Sequence, residues 1–248
     1  MQPAFLPWQG YFGLVAAADV FVLLDDFQFQ RHSFHQRNRL RLADGAETWI
    51  SVPVAHPRDG DFPTLAEAAP LVDAKWRRRL KTTLDQSYGR APHHETLRDP
   101  IDEWIDTHWT SVADMNIAFI QLVARMLEFE PHWRRSSEVG STGERSARVL
   151  DLLQRTGAGT YLCARGSFDY MVEDGLFPVD DVDVAFQEFE PQPHPQRRSD
   201  DFVSHLSVLD ALFEVGPAAT RQLVLAGQRE WTPWRAMPAM IAATRAEP

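Results

Sequence analysis

Cysteine is nearly absent from this 248-residue chain. The single thiol, Cys163, excludes an internal disulfide and any multi-cysteine zinc framework, and it fits a reducing compartment such as the cytoplasm. Lysine is almost as scarce. Lys75 and Lys81 are the only two among 25 basic residues, the balance expected of a GC-rich genome that favours arginine codons. Positive charge is in deficit overall, and a net charge of −10 argues against a nucleic-acid duplex or an anionic membrane surface as partner. Long apolar runs are missing too: the stretch 20–24 meets two aspartates at once, far short of a membrane span. No basic start followed by an apolar stretch and a cleavage site is present, so no secretion signal is read.

Familiar motifs are also wanting. The chain has no Walker phosphate loop, no GxGxxG, no HExxH and no GxSxG. Nine histidines are scattered without metal-ligand spacing, so no structural metal site is expected.

What remains is an ordinary globular composition, 44% apolar and 24% charged, long enough to bury a sizeable core. Residues 11–18 suit a short helix and residues 19–24 (DVFVLL) a buried strand; 48–54 (TWISVPV) reads as a second strand. Trp76, Leu80 and Leu84 recur every four residues, which predicts an amphipathic helix over 75–87. Helices are expected over 99–109 and 111–127, the second capped by Ser111 or Thr110 with Asp114 in its first turn. A polar loop at 136–143 precedes a helix over 144–156 stopped by Gly157. Then come a strand at 160–163, a helix through Tyr170 and Met171, and an alternating strand at 182–189. A loop at 190–200 leads to a helical region opening at 206–213, whose pattern is lost after Trp231, so the last 15 or so residues should fray. Strands interspersed with helices predict one α/β domain over 1–248. The expectation is Rossmann-like, a mostly parallel sheet with a helical insert over 75–135.

The polar groups crowd into the first 42 residues. Asp25 and Asp26 end a strand, which places them at the carboxyl edge of the sheet, where open α/β folds keep their ligand crevice. Alternation sends the two side chains opposite ways. One of them could act as general base, bind Mg²⁺, or hold a ribose or amine; the alternative is that both cap a loop or pair with Arg31, Arg37 or Arg39. Gln28, Arg37 and Asn38 offer a fork and amides suited to a carboxylate or phosphate, against a plain solvated basic loop. His194 and His205 are the histidines best placed for proton transfer. Cys163 ends an apolar strand and reads as an inert thiol. The glycines at 140 and 143, ahead of a helix, could hold an anion through backbone amides or serve as an ordinary cap.

The segments MQPAFLPWQGYF, ADVFVLLDDFQFQRHSFHQRNRLR and TWISVPV resemble the opening of the WbqC-like family. Trp76, Tyr88 and Pro92 follow that family's W…Y…P order, Ser136-Ser137 its SS pair, and TYL at 160–162 its strand. HPQ at 194–196 with FVSHLSVLDALFEVG at 202–216 matches its closing motif, so the resemblance spans about residues 1–216. Two departures stand out. Family chains carry a short apolar strand before the QP motif, where this sequence has Met1, and Cys163-Ala164-Arg165 replaces a small-residue turn.

The resemblance implies a bacterial surface-polysaccharide or natural-product enzyme that transfers an acyl or aminoacyl group to a small amine, an amino sugar or a carrier-linked intermediate. A nucleotide sugar is among the substrates it implies, and a homo-oligomer is within its scope. It further implies that Gln2 and Tyr11 shape a pocket closed from the far end of the chain by His194, Gln196, Ser207 and Asp210. The rival reading is a non-catalytic ligand-binding or scaffold protein of a biosynthetic cluster. A fainter likeness to the first βαβ of pantothenate synthetase and its nucleotidyl-transferase relatives would place ATP, with Mg²⁺, at the helix start near residues 7–10.

Overall fold

Two asparagines far apart in sequence shape the start of the fold. In the computed structural model, which describes residues 1–55, 63–197 and 201–238, the loop that carries Pro3 and Pro7 makes little regular backbone pairing of its own. Its buried carbonyls are met by side chains instead, as buried backbone groups require. Asn38 Nδ2 donates to the carbonyls of Phe5 (3.2 Å) and Leu6 (2.8 Å), and Asn116 Nδ2 donates to those of Pro3 (3.1 Å) and His35 (2.9 Å). These bonds hold Leu6 at φ 44°, a left-handed backbone that few residues other than Gly, Asn and Asp adopt.

Helix α1 (Gln9–Ala17) follows at once. Trp8 folds its indole back over the first turn, and only a glycine fits at position 10: a Cβ there would lie 2.3 Å from the ring. Strand β1 (Val20–Leu23) comes next, then β2 (Arg37–Arg41) and β3 (Glu47–Ser51). Helices α2 (Ala74–Tyr88), α3 (His94–Asp106) and α4 (Val112–Met126) lie within the expected insert. Ser111 caps α4, its Oγ accepting from the Asp114 amide at 3.0 Å, as its position predicts. The start of α3 differs from expectation. Pro100 suggests a first turn, but the stripe Leu97, Ile101, Trp104 and Ile105 is buried on both sides of it, and that packing carries the helix through the proline.

Strand β4 (His132–Arg135) runs into the single turn α5 (Ser136–Val139), where a loop was expected, and Gly140 closes that turn at φ 73°. Then follow α6 (Arg145–Thr156), β5 (Thr160–Ala164), α7 (Phe168–Asp174), β6 (Asp183–Gln187), α8 (Leu209–Gly227) and the short β7 (Thr232–Pro233). Helix α8 is broken at Gly216 (φ 80°), which Pro217 follows as the first residue of the second half.

The protein is mixed α/β. Among the described residues the strands make three small sheets: β1 with β4 in parallel, β2 with β3 as an antiparallel hairpin, and β5–β6 parallel with β7 added antiparallel. The parallel pairs are the expected part. The antiparallel hairpin is not, because the row RNRLR gives no apolar alternation by which to read β2. Backbone bonds from Met1 also lie along β1, its amine donating to Val22 O and its carbonyl accepting from the Leu24 amide at 3.0 Å.

Helix α4, the opening loop, α1 and the start of α8 share one apolar core that includes Phe5, Phe12, Leu40, Phe119 and Phe213. A smaller cluster around Cys163, Met171 and Phe186 sits between β5, β6 and α7. The last ten residues and those at 56–62 and 198–200 lie outside the described residues, and with them the expected frayed end and part of the 190–200 loop. No helix among the described residues is long and apolar enough to cross a membrane.

Candidate functional site

Residues 205–210 are clamped between the opening loop and β2. Trp8 bridges Ser207, the Val208 amide donates to Pro7 O at 2.9 Å, and the Ser207 amide donates to Arg39 O at 3.0 Å. This clamp sets Asp210 in the first turn of α8, where a helix favours negative charge. The carboxylate is 2% exposed and receives three donors. Tyr88 OH reaches Oδ1 at 3.1 Å, while His194 Nε2 (2.9 Å) and Gln196 Nε2 (2.7 Å) share Oδ2.

A second layer fixes those donors. Arg41 gives its backbone N–H to the Tyr88 oxygen (3.3 Å) and its guanidinium to Gln196 Oε1 (2.6 Å), which also accepts from the Val203 amide at 2.8 Å. Burial, helped by the charge of Asp210, holds the Tyr88 phenol well above its usual range, so it stays a donor. Burial also raises the nearby Glu214, with Asp210 adding to the rise and Arg197, forked on it at 3.3 Å, opposing it.

The His194 ring is 3% exposed and meets the edge of Phe202 at 5.2 Å. A carboxylate can only accept, so in the neutral imidazole the proton sits on Nε2 and the lone pair on Nδ1. That Nδ1 is buried and has no hydrogen-bond partner. His194 also lines a small cleft whose other walls include Trp8, Gln9, His205 and Ser207, with closed space for about one water. Trp8 stacks on His205 at 4.6 Å, and His205 stands at φ 59°. Burial and then the Arg39 charge lower the His205 imidazole.

Asp25 and Asp26 form a separate cluster. Ser136 Oγ donates to Asp25 Oδ1 at 3.1 Å and also to Asp26 Oδ1. The Ser137 amide reaches Asp25 Oδ1 at 3.1 Å and its hydroxyl Oδ2 at 2.7 Å. Arg135 lies 3.8 Å from Asp25 Oδ2, and Arg148 pairs with Asp26 Oδ2 while lying over the Phe27 ring at 4.8 Å. All four carboxylate oxygens therefore face protein donors. Among the described residues no three His, Cys, Asp or Glu side chains converge as metal ligands.

The model of the WbqC-like protein family matches residues 2–222, a span that holds both clusters. The chain belongs to the WbqC-like family. The uncharacterized protein Rv1507c of Mycobacterium tuberculosis (strain ATCC 25618 / H37Rv) is 25% identical over 227 residues, covering 88% of this chain and 94% of that protein. No solved structure matches.

In this WbqC-like chain the expected site residues fall into several places. His194, Gln196, Ser207 and Asp210 come together in one pocket, with His205 on its rim. Ser207 Oγ accepts from the Leu209 amide at 3.4 Å and has no bond to His194. Gln2 lies elsewhere, its Oε1 on His35 Nε2 at 2.9 Å and its carbonyl under Tyr11 OH at 3.3 Å. Tyr11 is buried against Phe12 and Phe21, and burial raises its phenol. Asn38 uses its amide wholly on the backbone, while Arg37 stacks at 4.5 Å on the exposed Trp49. Gln28 is exposed and bridges Thr64.

The Trp8 indole lies over the first turn of α1, where the fainter likeness would place ATP. Gln9, Arg41 and Tyr88 were not singled out from the sequence as site residues. Arg41 had one available signal, as the third arginine at every second position of 37–41, which puts it on the same strand face as Arg39.

Proposed function

We propose that this WbqC-like protein forms an amide bond, transferring an acyl or aminoacyl group from an activated ester or thioester to a small amine. An amino sugar or a carrier-linked amine of polysaccharide or natural-product biosynthesis is the acceptor. The observation that carries the reading is the His194 imidazole oriented through Nε2 by the buried Asp210 carboxylate at 2.9 Å, which leaves the lone pair on Nδ1 without a protein partner among the described residues. This is the arrangement of a general base whose carboxylate orients the ring and steadies the imidazolium.

In the reaction the amine nitrogen attacks the acyl carbonyl and gives a proton to Nδ1. The new C–N bond forms, the bond to the ester oxygen or thioester sulfur breaks, and the imidazolium returns the proton to that leaving atom. Asp210 stays ionised throughout, held by Tyr88 and Gln196. In this reading the base is His194. Asp25 and Asp26 join β1 to the β4–α5 corner and take no part in the chemistry.

The test incubates the protein with the N-acetylcysteamine thioester of glycine and with glucosamine, and reads amide formation by mass spectrometry. A positioned base contributes about 10²–10⁴-fold, so His194→Gln and Asp210→Asn should each lose at least about 10²-fold at unchanged fold. A thermal-shift screen separates the scaffold reading. Stabilisation by thioesters, aminoacyl adenylates or nucleotide sugars supports an enzyme, and stabilisation by a partner protein alone supports a scaffold.

A further inference from the structure

Strands β1 and β4 run in parallel and end together, with Leu23 beside Arg135. Open α/β folds keep their ligand crevices at the carboxyl ends of such strands. Arg135 lines a solvent-open groove of about 330 Å³ whose other walls include residues 108–110 and the face of α4 that carries Asp114, Ile117 and Ala118. That volume falls at the lower end of the range for small-molecule sites, about 300–1,000 Å³. None of the residues that line it lines the His194 cleft.

The walls are held in place by bonds of their own. Trp109 Nε1 donates to Trp104 O at 3.0 Å, which fixes the indole. The Ser111 hydroxyl donates to Asp114 Oδ2 at 2.9 Å, and Arg135 Nη1 donates to Asp114 Oδ1 at 2.8 Å. The Arg135 and Asp114 side chains are 35% and 36% exposed, so a ligand in the groove can reach both. Neither is used up. Asp114 takes one of the five guanidinium donors, and its own side-chain donors, Arg135, Ser111 and Thr110, leave one of about four lone-pair sites.

The groove therefore presents a cation and an anion 2.8 Å apart, beside an apolar wall. A ligand of one charge meets its own sign almost as closely as the opposite one, and the two contributions offset. A zwitterion whose groups stand side by side pairs with both. We infer that this groove binds a free α-amino acid with an aliphatic side chain. Its carboxylate takes guanidinium donors that Asp114 leaves, its ammonium donates to Asp114, and its side chain packs on Trp109, Ile117 and Ala118. This second site goes beyond the amide-forming reading and does not rest on it.

The probe is L-leucine, compared with isoamylamine, which lacks the carboxylate, and isocaproic acid, which lacks the ammonium. Each is titrated into protein carrying fluorine-labelled tryptophan, and the Trp109 resonance, assigned by its loss in Trp109→Phe, is followed by NMR. Leucine should shift it saturably and bind at least about 10-fold more tightly than either analogue. Arg135→Gln should bring leucine to within about 3-fold of isoamylamine. Ala118→Leu, which fills the groove without removing either charge, should abolish the leucine response at an unchanged thermal midpoint. His194→Gln should leave leucine binding as in wild type.

No saturable shift in wild type overturns the site, and so does leucine binding that survives Ala118→Leu or is lost in His194→Gln. Equal affinity for leucine and either analogue overturns the recognition of a zwitterion. If no amide forms in the glucosamine assay while leucine still binds, the amide-forming reading fails and the groove stands.

Discussion

His35 offers a direct test of how the opening loop is held. Its ring is 5% exposed and both nitrogens are in use: the Gln30 amide donates to Nδ1 at 3.1 Å, and Nε2 faces Gln2 Oε1 at 2.9 Å. The tautomer follows, with the proton on Nε2. A second proton on Nδ1 would point at an N–H donor. Burial takes this imidazole down to about 4 from its ordinary 6.5. Because the folded value is below the unfolded one, the unfolded chain binds the proton first as pH falls.

Stability from this residue is therefore complete above about pH 6.5 and is lost as pH drops towards 4. The two values give a loss of about 2 kcal/mol by pH 5 and about 3 kcal/mol by pH 4. Urea unfolding of wild type and His35→Gln at pH 7 and pH 5 isolates the effect. The variant lacks the titration, so its stability deficit should narrow by about 2 kcal/mol between those two pH values. A gap constant to within about 0.5 kcal/mol would show that the ring accepts its second proton without penalty, and would refute the assigned tautomer and environment.

Other expected outcomes follow from single contacts. Tyr88→Phe removes one donor from the buried Asp210 carboxylate; unfolding stability should fall by about 1–3 kcal/mol, with transfer weakened less than by Asp210→Asn. Asn116→Leu strips the Pro3 and His35 carbonyls of their donor and should destabilise by about 2 kcal/mol or more, measured by thermal or urea unfolding. Asp25→Ala should destabilise by about 3 kcal/mol, since it takes an acceptor from the buried Ser136 hydroxyl and from the amide and hydroxyl of Ser137, yet folded protein should keep its transfer rate; a lost rate at intact fold would return Asp25 to the chemistry. Cys163, whose thiol burial pushes up to about 12, should resist iodoacetamide at pH 8 in the native state and react on unfolding.

Much of this fold can be read from periodicity. The helices with one apolar stripe, α2, α4 and α6, stand within a residue or two of where the sequence puts them, and Gly157 ends α6 as a left-handed cap. Strand β2 was illegible because its inward positions are Asn38 and Leu40 and its other face is arginine, so no apolar alternation marks it. The site divides in the same way. The HPQ and HLSVLD segments point to His194, Gln196, Ser207 and Asp210, which meet in one pocket. The paired aspartates drew attention because they are polar and adjacent, but their partners are Ser136, Ser137, Arg135 and Arg148, more than a hundred positions on. No local pattern announces such a long-range pairing. Gln9 was hidden for the opposite reason, as an uncharged residue opening an apolar helix.

The walls of the cleft come from Trp8 and Gln9 at one end of the chain and from His194, Gln196, Ser207 and Asp210 near the other, with Arg41 and Tyr88 bonded to Gln196 and Asp210 from between them. Closing loops of such length is entropically slow and is rewarded only when both ends have arrived. A nascent or partly folded chain can hold α2 to α4 together through local contacts while His194 still lacks its carboxylate and the cleft lacks its indole wall. The cleft is thereby complete only when the two ends of the chain have met.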